Sequence, residues 1–192
     1  MLQQFQKPLD PRRDRILAMP GSRDDAARSV ERFAPSDLPM MSAREILERR
    51  ARQESPILID VRTREEMSVS MIPEAMTRER FEALAAEEPS QFSGRTLVPY
   101  CTVGARSGQY ARQLLRDGHD VRNGEGILLW THDVAFDEAP LVAGEVPTRR
   151  VHVFGAPWDL GHPDYEPVRF GPLTMALRAV FGYTRDKPAR GR

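Results

Sequence analysis

Two hydrophobic rhythms alternate along the middle of this chain. "SAREILERRA" (Ser42–Ala51) sets Ile46, Leu47 and Ala51 at helical spacing, and Ser42 with Glu45 predicts a capping box at its start. "PILIDV" (Pro56–Val61) is a near-continuous apolar run ending in Asp60, the pattern of a strand covered on both faces. "TREEM" predicts a short helix or turn, and "MIPEAM" (Met71–Met76) a chain reversal around Pro73. "TRERFEALAAEE" predicts a helix with Phe81, Leu84 and Ala85 on one side. "TLVPYC" (Thr96–Cys101) predicts a second strand, short or distorted because Pro99 has no N–H to donate. "ARSGQYARQLLRDG" predicts a helix with Tyr110, Ala111, Leu114 and Leu115 inward and Gly118 just past its end. "HDVRNGEGILLW" (His119–Trp130) supplies a third short strand and a glycine-punctuated turn. Helices alternating with short apolar strands predict an α/β domain, a small parallel sheet flanked by helices, between residues 40 and 133.

Outside that interval the pattern changes. Residues 1–37 are polar and broken by prolines. Ser22–Phe33 predicts a short helix capped by Ser22, with Asp24 and Asp25 near its positive end, in a loosely packed N-terminal extension. The expected division is an N-terminal extension at 1–37, a domain at 38–133 and a C-terminal extension at 134–192. Within the last, "TRRVHVFGAPWDLGHPDYEPVRFG" predicts a β-hairpin, or an irregular loop with an added strand. "PLTMALRAVFGYTR" predicts a short amphipathic helix packing through Leu173, Ala176, Leu177, Val180 and Phe181, a simpler reading than a membrane or partner helix. "DKPARGR" reads as a disordered basic tail.

Composition narrows the classes. At 192 residues, with 40 % apolar and 29 % charged positions, the chain fits one ordinary domain with extensions. It holds no apolar run near the roughly 18 residues of a spanning helix, so no membrane partner is expected. The first residues lack an apolar core and include Asp10 and Asp14, which points to the cytoplasm. Basic and acidic residues balance at 28 each, against a dedicated nucleic-acid binder; Arg149–Arg150 with Arg12–Arg13 read as a solvated face. The single cysteine rules out an internal disulfide. His119, His132, His152 and His162 are scattered, with no metal-ligand spacing, and read as structural or exposed; no metal or cofactor is expected. Trp130 is expected in the core, and Trp158 packing the extension onto the domain in preference to lining a pocket.

The lone cysteine carries the candidate chemistry. Cys101 closes a strand, and "TVGAR" leads from it into a helix beginning near Ser107. In an open α/β sheet ligands bind at the carboxyl ends of the strands. A loop curling there can gather several N–H groups beside a helix N-terminus, a setting that favours a thiolate or a bound anion. Gly104 permits a close approach or an unusual backbone angle, and Arg106 adds a fixed charge that can brace the loop or meet a substrate. A lone cysteine is more often an inert core residue; the strand end, Gly, Arg and helix start together favour a reactive one.

Four stretches in this order resemble the rhodanese family from about Ser42 to Asp133, roughly half the chain: "ILIDVRTREEM", "SMIPEAM", "YCTVGARS" and "VRNGEGILLW". The resemblance implies a three-layer rhodanese-like fold and sulfurtransferase chemistry. The family's cysteine takes sulfane sulfur from a donor such as thiosulfate, holds it as a persulfide, and passes it to cyanide, a thiol or a protein acceptor. By motif match Cys101 is the nucleophile, the amides of Thr102, Val103, Gly104, Ala105, Arg106 and Ser107 cradle the persulfide, and Asp60, Arg62 and Glu66 are supporting charges. Glu66 or Asp60 is expected to pair with an arginine near the loop, although Arg62 and Glu66 fit solvated surface charge equally well.

Four residues separate Cys101 from Arg106, one fewer than in the Cys-x5-Arg loop of the related cysteine phosphatases. The tighter loop suits one sulfur rather than a phosphate and leaves phosphatase activity a minor alternative. The chain departs from the family pattern at Ser70 and Met71 (Gly-His in the family), at Glu74 (Gly) and at Glu125 (the first Gly of a pair). A second reading is a protein-binding or regulatory module that keeps the loop without catalysis.

Overall fold

Alternation along two strands builds the layers. A computed structural model describes residues 21–155 and 159–170. The strands β1 (Met40–Met41), β2 (Ile57–Asp60), β3 (Met76–Thr77), β4 (Leu97–Tyr100) and β5 (Asn123–Gly124) are all parallel to their partners. β2 is central, between β3 and β4, with Ile57–Asp60 in register with Leu97–Tyr100. A bridge from Leu97 to Val121 leads on to the β5–β1 pair. Ile57, Ile59 and Leu97 face one apolar cluster, and Leu58, Val98 and Tyr100 face the other. Both faces are therefore dry, as the near-continuous apolar runs predict.

Helices cover both faces. α1 (Arg23–Phe33), α2 (Ala43–Ala51) and α6 (Ile127–Asp133) contribute to the Leu58 side. α4 (Arg78–Glu87) and α5 (Ala105–Arg116) contribute to the other, while α3 (Arg64–Val69) crosses the carboxyl end of β2. Side-chain caps start four of them: Ser22, Ser42, Thr63 and Thr77 each accept a backbone N–H of the first turn. Pro99 is accommodated inside β4 because alternate residues face alternate neighbours. The Leu97 N–H points away from β2, to the Asp120 carbonyl, so Pro99 turns its N–H-less nitrogen to the same, sparsely bonded side.

Several expectations need correction. The N-terminal helix is not loosely packed: Ala26 and Val30 are buried against α6, since small residues on one face let the helix approach closely. Leu115 is exposed, because the buried face of α5 is completed by Tyr110, Ala111 and Leu114. "ILLWTHD" forms the helix α6, directly after the short strand and glycine turn expected in that stretch; a short apolar run has no period that would have announced the helix. Trp130 is in the core, its indole N–H donating to the Ala139 carbonyl.

In the C-terminal region β6 (Val142–Ala143) and β7 (Val146–Pro147) form an antiparallel hairpin, upstream of the stretch that predicted one. Within that stretch β8 (Arg150–His152) and β9 (Glu166–Val168) pair in parallel, so the connection between them is a crossover and not a hairpin turn. β8 packs against α3. The apolar helix expected from Pro172, the basic tail, Trp158 and Arg12–Arg13 lie outside the described residues. Among the described residues no helix is long and apolar enough to cross a membrane.

Candidate active site

β4 delivers Cys101 to the carboxyl edge of the sheet, and the chain then turns through Thr102 and Val103 to Gly104, the N-cap of α5. Gly104 adopts φ +82°, and a Cβ there would lie 2.9 Å from the Cβ of Ala34. The buried Asn123 fixes it by donating from Nδ2 to its carbonyl at 2.9 Å. Two amides at the start of α6, those of Ile127 and Leu128, donate to the carbonyls of Cys101 and Thr102. The carbonyls of Cys101, Thr102 and Gly104 are thus committed. Among the described residues, none of the loop's N–H groups from Thr102 to Ser107 has an acceptor. Six successive N–H groups without acceptors can together hold an anion.

Cys101 is 1 % exposed, so it is a buried residue that nevertheless stands in the loop. The buried Ser107 hydroxyl donates to its Sγ at 3.7 Å. Arg106 forms a bidentate pair with Glu66, Nη1 to Oε2 at 2.7 Å and Nη2 to Oε1 at 2.8 Å, and Nη2 also reaches Thr102 Oγ1 at 3.2 Å. Burial works against charge on Glu66, yet Arg106, His152 and the Thr63 amide hold its carboxyl far below the usual range. Burial likewise works against the Arg106 charge, but Glu66 and then Cys101 keep its pKa above the ordinary value.

A second buried pair supports the first. Arg62 donates through Nε to Asp60 Oδ1 at 2.9 Å and through Nη2 to Oδ2 at 2.7 Å, with both side chains fully buried. Tyr100 donates its hydroxyl to Asp60 Oδ2 at 2.6 Å and accepts the Ile72 N–H at 3.1 Å. Arg62 also reaches the Ser70 carbonyl at 2.6 Å, which ties down the segment where the family pattern is lost. Burial disfavours the Arg62 cation, and Asp60 outweighs it, so its pKa is raised. Arg62 and Glu66 are therefore not solvated surface charges: they are 5 % and 1 % exposed. Glu66 is the partner of the loop arginine, and Asp60 bonds Arg62 instead.

Residues 42–131 match the family model of the rhodanese-like domain. This chain contains a rhodanese-like domain. No curated protein matches the chain. Among solved structures, a rhodanese-related protein from Thermoplasma volcanium is 19 % identical, aligned over 55 % of this chain and 98 % of that one with a TM-score of 0.42. A protein from Staphylococcus saprophyticus subsp. saprophyticus is 26 % identical over 46 % of this chain and 88 % of that one, with a TM-score of 0.38. The rhodanese-like domain includes Asp60, Arg62, Glu66 and the whole Cys101–Ser107 loop.

Where the domain departs from the family pattern, the backbone registers it. Glu74, in place of glycine, has φ +63°, a left-handed conformation costly for a side chain. Glu125 is half-buried with Oε2 lacking a partner among the described residues; burial and Asp133 raise its pKa against the effect of Arg23. Four neighbours of the loop and its charged pairs escaped the sequence reading: Tyr100, Asn123, His152 beside Glu66, and Phe154 beside Arg106. Tyr100 and Asn123 look like ordinary strand and turn residues, and His152 and Phe154 lie far along the chain from the loop they approach.

Proposed function

We propose that the rhodanese-like domain is a sulfurtransferase that carries sulfane sulfur on Cys101. The observation supporting this most is the loop of unpaired amides from Thr102 to Ser107 beginning at the cysteine, with Arg106 set beside it. A thiolate, and then a persulfide anion, finds there the Ser107 hydroxyl, the amides, and the N-terminus of α5. The Cys101 thiolate attacks the outer sulfur of a donor such as thiosulfate; an S–S bond forms to Cys101, the donor's S–S bond breaks, and sulfite leaves with the electron pair. An acceptor, cyanide or a thiolate, then attacks the outer sulfur and Cys101 departs as thiolate. Arg106 braces the loop through Thr102 and supplies the positive charge near the sulfur, with its side chain 38 % exposed to an arriving anion.

Incubation with thiosulfate is expected to add one sulfur mass to Cys101, and addition of cyanide to release thiocyanate, both abolished by Cys101→Ala. A wild-type protein that gains no sulfur from thiosulfate or a low-molecular-weight persulfide overturns the reading. The burial of Cys101 favours one other reading, a binding module without turnover. A protein partner retained equally by Cys101→Ala, with no sulfur gained by the wild type, supports that instead.

A further inference from the structure

His152 lies beyond the rhodanese-like domain and is fully buried. Neither ring nitrogen has a hydrogen-bond partner among the described residues. Its Nδ1 is nevertheless 3.3 Å from Glu66 Oε1, the carboxylate that grips Arg106. The imidazole stacks on Phe170, with centroids 4.4 Å apart and planes inclined by 22°, and meets Phe154 edge to face at 5.0 Å. The Arg106 guanidinium in turn lies over the Phe154 ring, its Cζ 5.6 Å from the ring centroid. Two alternate positions of one segment, 152 and 154, thus approach the two members of the Glu66–Arg106 pair.

Burying an imidazole with both nitrogens unbonded is costly, and packing alone is served better by phenylalanine. A nitrogen persists there, facing a carboxylate. We infer that His152 is a positioning residue of the active site. With its Nδ1 protonated, it turns an N–H dipole on Glu66 Oε1 and holds the carboxylate in the one orientation that grips Arg106 bidentately. Phe154 caps the guanidinium from the other side. The C-terminal extension is in this way part of the site. The inference rests on the sulfurtransferase reading only for its kinetic consequence.

Two measurements test it. Nitrogen-15 NMR of the wild-type ring is expected to show His152 as the Nδ1–H tautomer at neutral pH; a bare Nδ1 toward Glu66 overturns the inference without any variant. His152→Phe keeps the aromatic stack and removes the nitrogens, while His152→Asn places an amide N–H near the Nδ1 position. The Phe variant should raise the KM for thiosulfate about tenfold, the size of effect expected when a dipole facing a buried charge is removed, with kcat little changed. It should also broaden the guanidinium resonances of Arg106, and the Asn variant should restore both. A Phe variant with wild-type KM and sharp Arg106 signals overturns the inference. If the wild type transfers no sulfur, the functional reading falls by itself, while the tautomer and the Arg106 resonances still decide the role of His152.

Discussion

Gly126 and Thr102 meet backbone to backbone: a Cβ on Gly126 would lie 2.5 Å from the Thr102 carbonyl oxygen and 2.7 Å from its carbonyl carbon. Neither atom can rotate away, and Gly126 has φ +105°, which side chains rarely adopt. The same junction carries the Ile127 and Leu128 amides to the carbonyls of Cys101 and Thr102. Gly126→Ala should therefore displace the cysteine loop and cost about 2–4 kcal/mol. Denaturant unfolding, read beside the rate of Cys101 alkylation, checks both effects.

Asp60 and Arg62 should behave as a unit. Asp60→Asn leaves the Arg62 charge buried with a weakened partner, and the Tyr100 hydroxyl loses a charged acceptor. The expected loss is about 3–5 kcal/mol. Adding Arg62→Met removes the uncompensated charge and should recover a substantial part of it. A double-mutant cycle by urea unfolding measures the recovery.

Glu74 tests whether a departure from the family pattern strains the fold. The left-handed backbone costs a non-glycine residue about 1–2 kcal/mol, and glycine's extra unfolded-state freedom returns about 0.5–1 kcal/mol of that. The Arg50–Glu74 ion pair is long, at 3.6 Å, with Glu74 77 % exposed, and adds little. Glu74→Gly is expected to stabilise the protein slightly, by about 0.5 kcal/mol, and Glu74→Val to destabilise it. Thermal melts of the two variants should move in opposite directions.

Acid should find Glu66. Its carboxyl is held well below its ordinary value of 4.5, so the folded state binds that proton less readily than the unfolded one. The resulting stability is fully present above about pH 4.5 and is lost progressively as pH falls below it. Glu66→Gln should be less stable than the wild type at pH 7, and the gap between them should narrow on acidification. Unfolding midpoints from pH 7 down to pH 3 give the comparison.

Much of this molecule was legible in the sequence because it depends on local pattern. The burial of Ile57–Asp60 and Leu97–Tyr100 follows from their apolar runs, and the helices at 43–51, 78–87 and 105–116 from caps and spacing. The loop from Cys101 through Gly104 to Arg106 was legible as a strand end leading into a helix. What the tertiary structure decided was which charges meet. Asp60 and Glu66 are both acidic residues near β2, yet one closes on Arg62, two positions away, and the other on Arg106, forty positions away. Nothing in the local pattern ranks those partners, because the choice depends on where α3 and α5 converge. The same holds for Asn123 behind Gly104 and for His152 behind Glu66. A strand's alternation tells which face a residue takes, and only the packing of whole elements tells what waits on the other side.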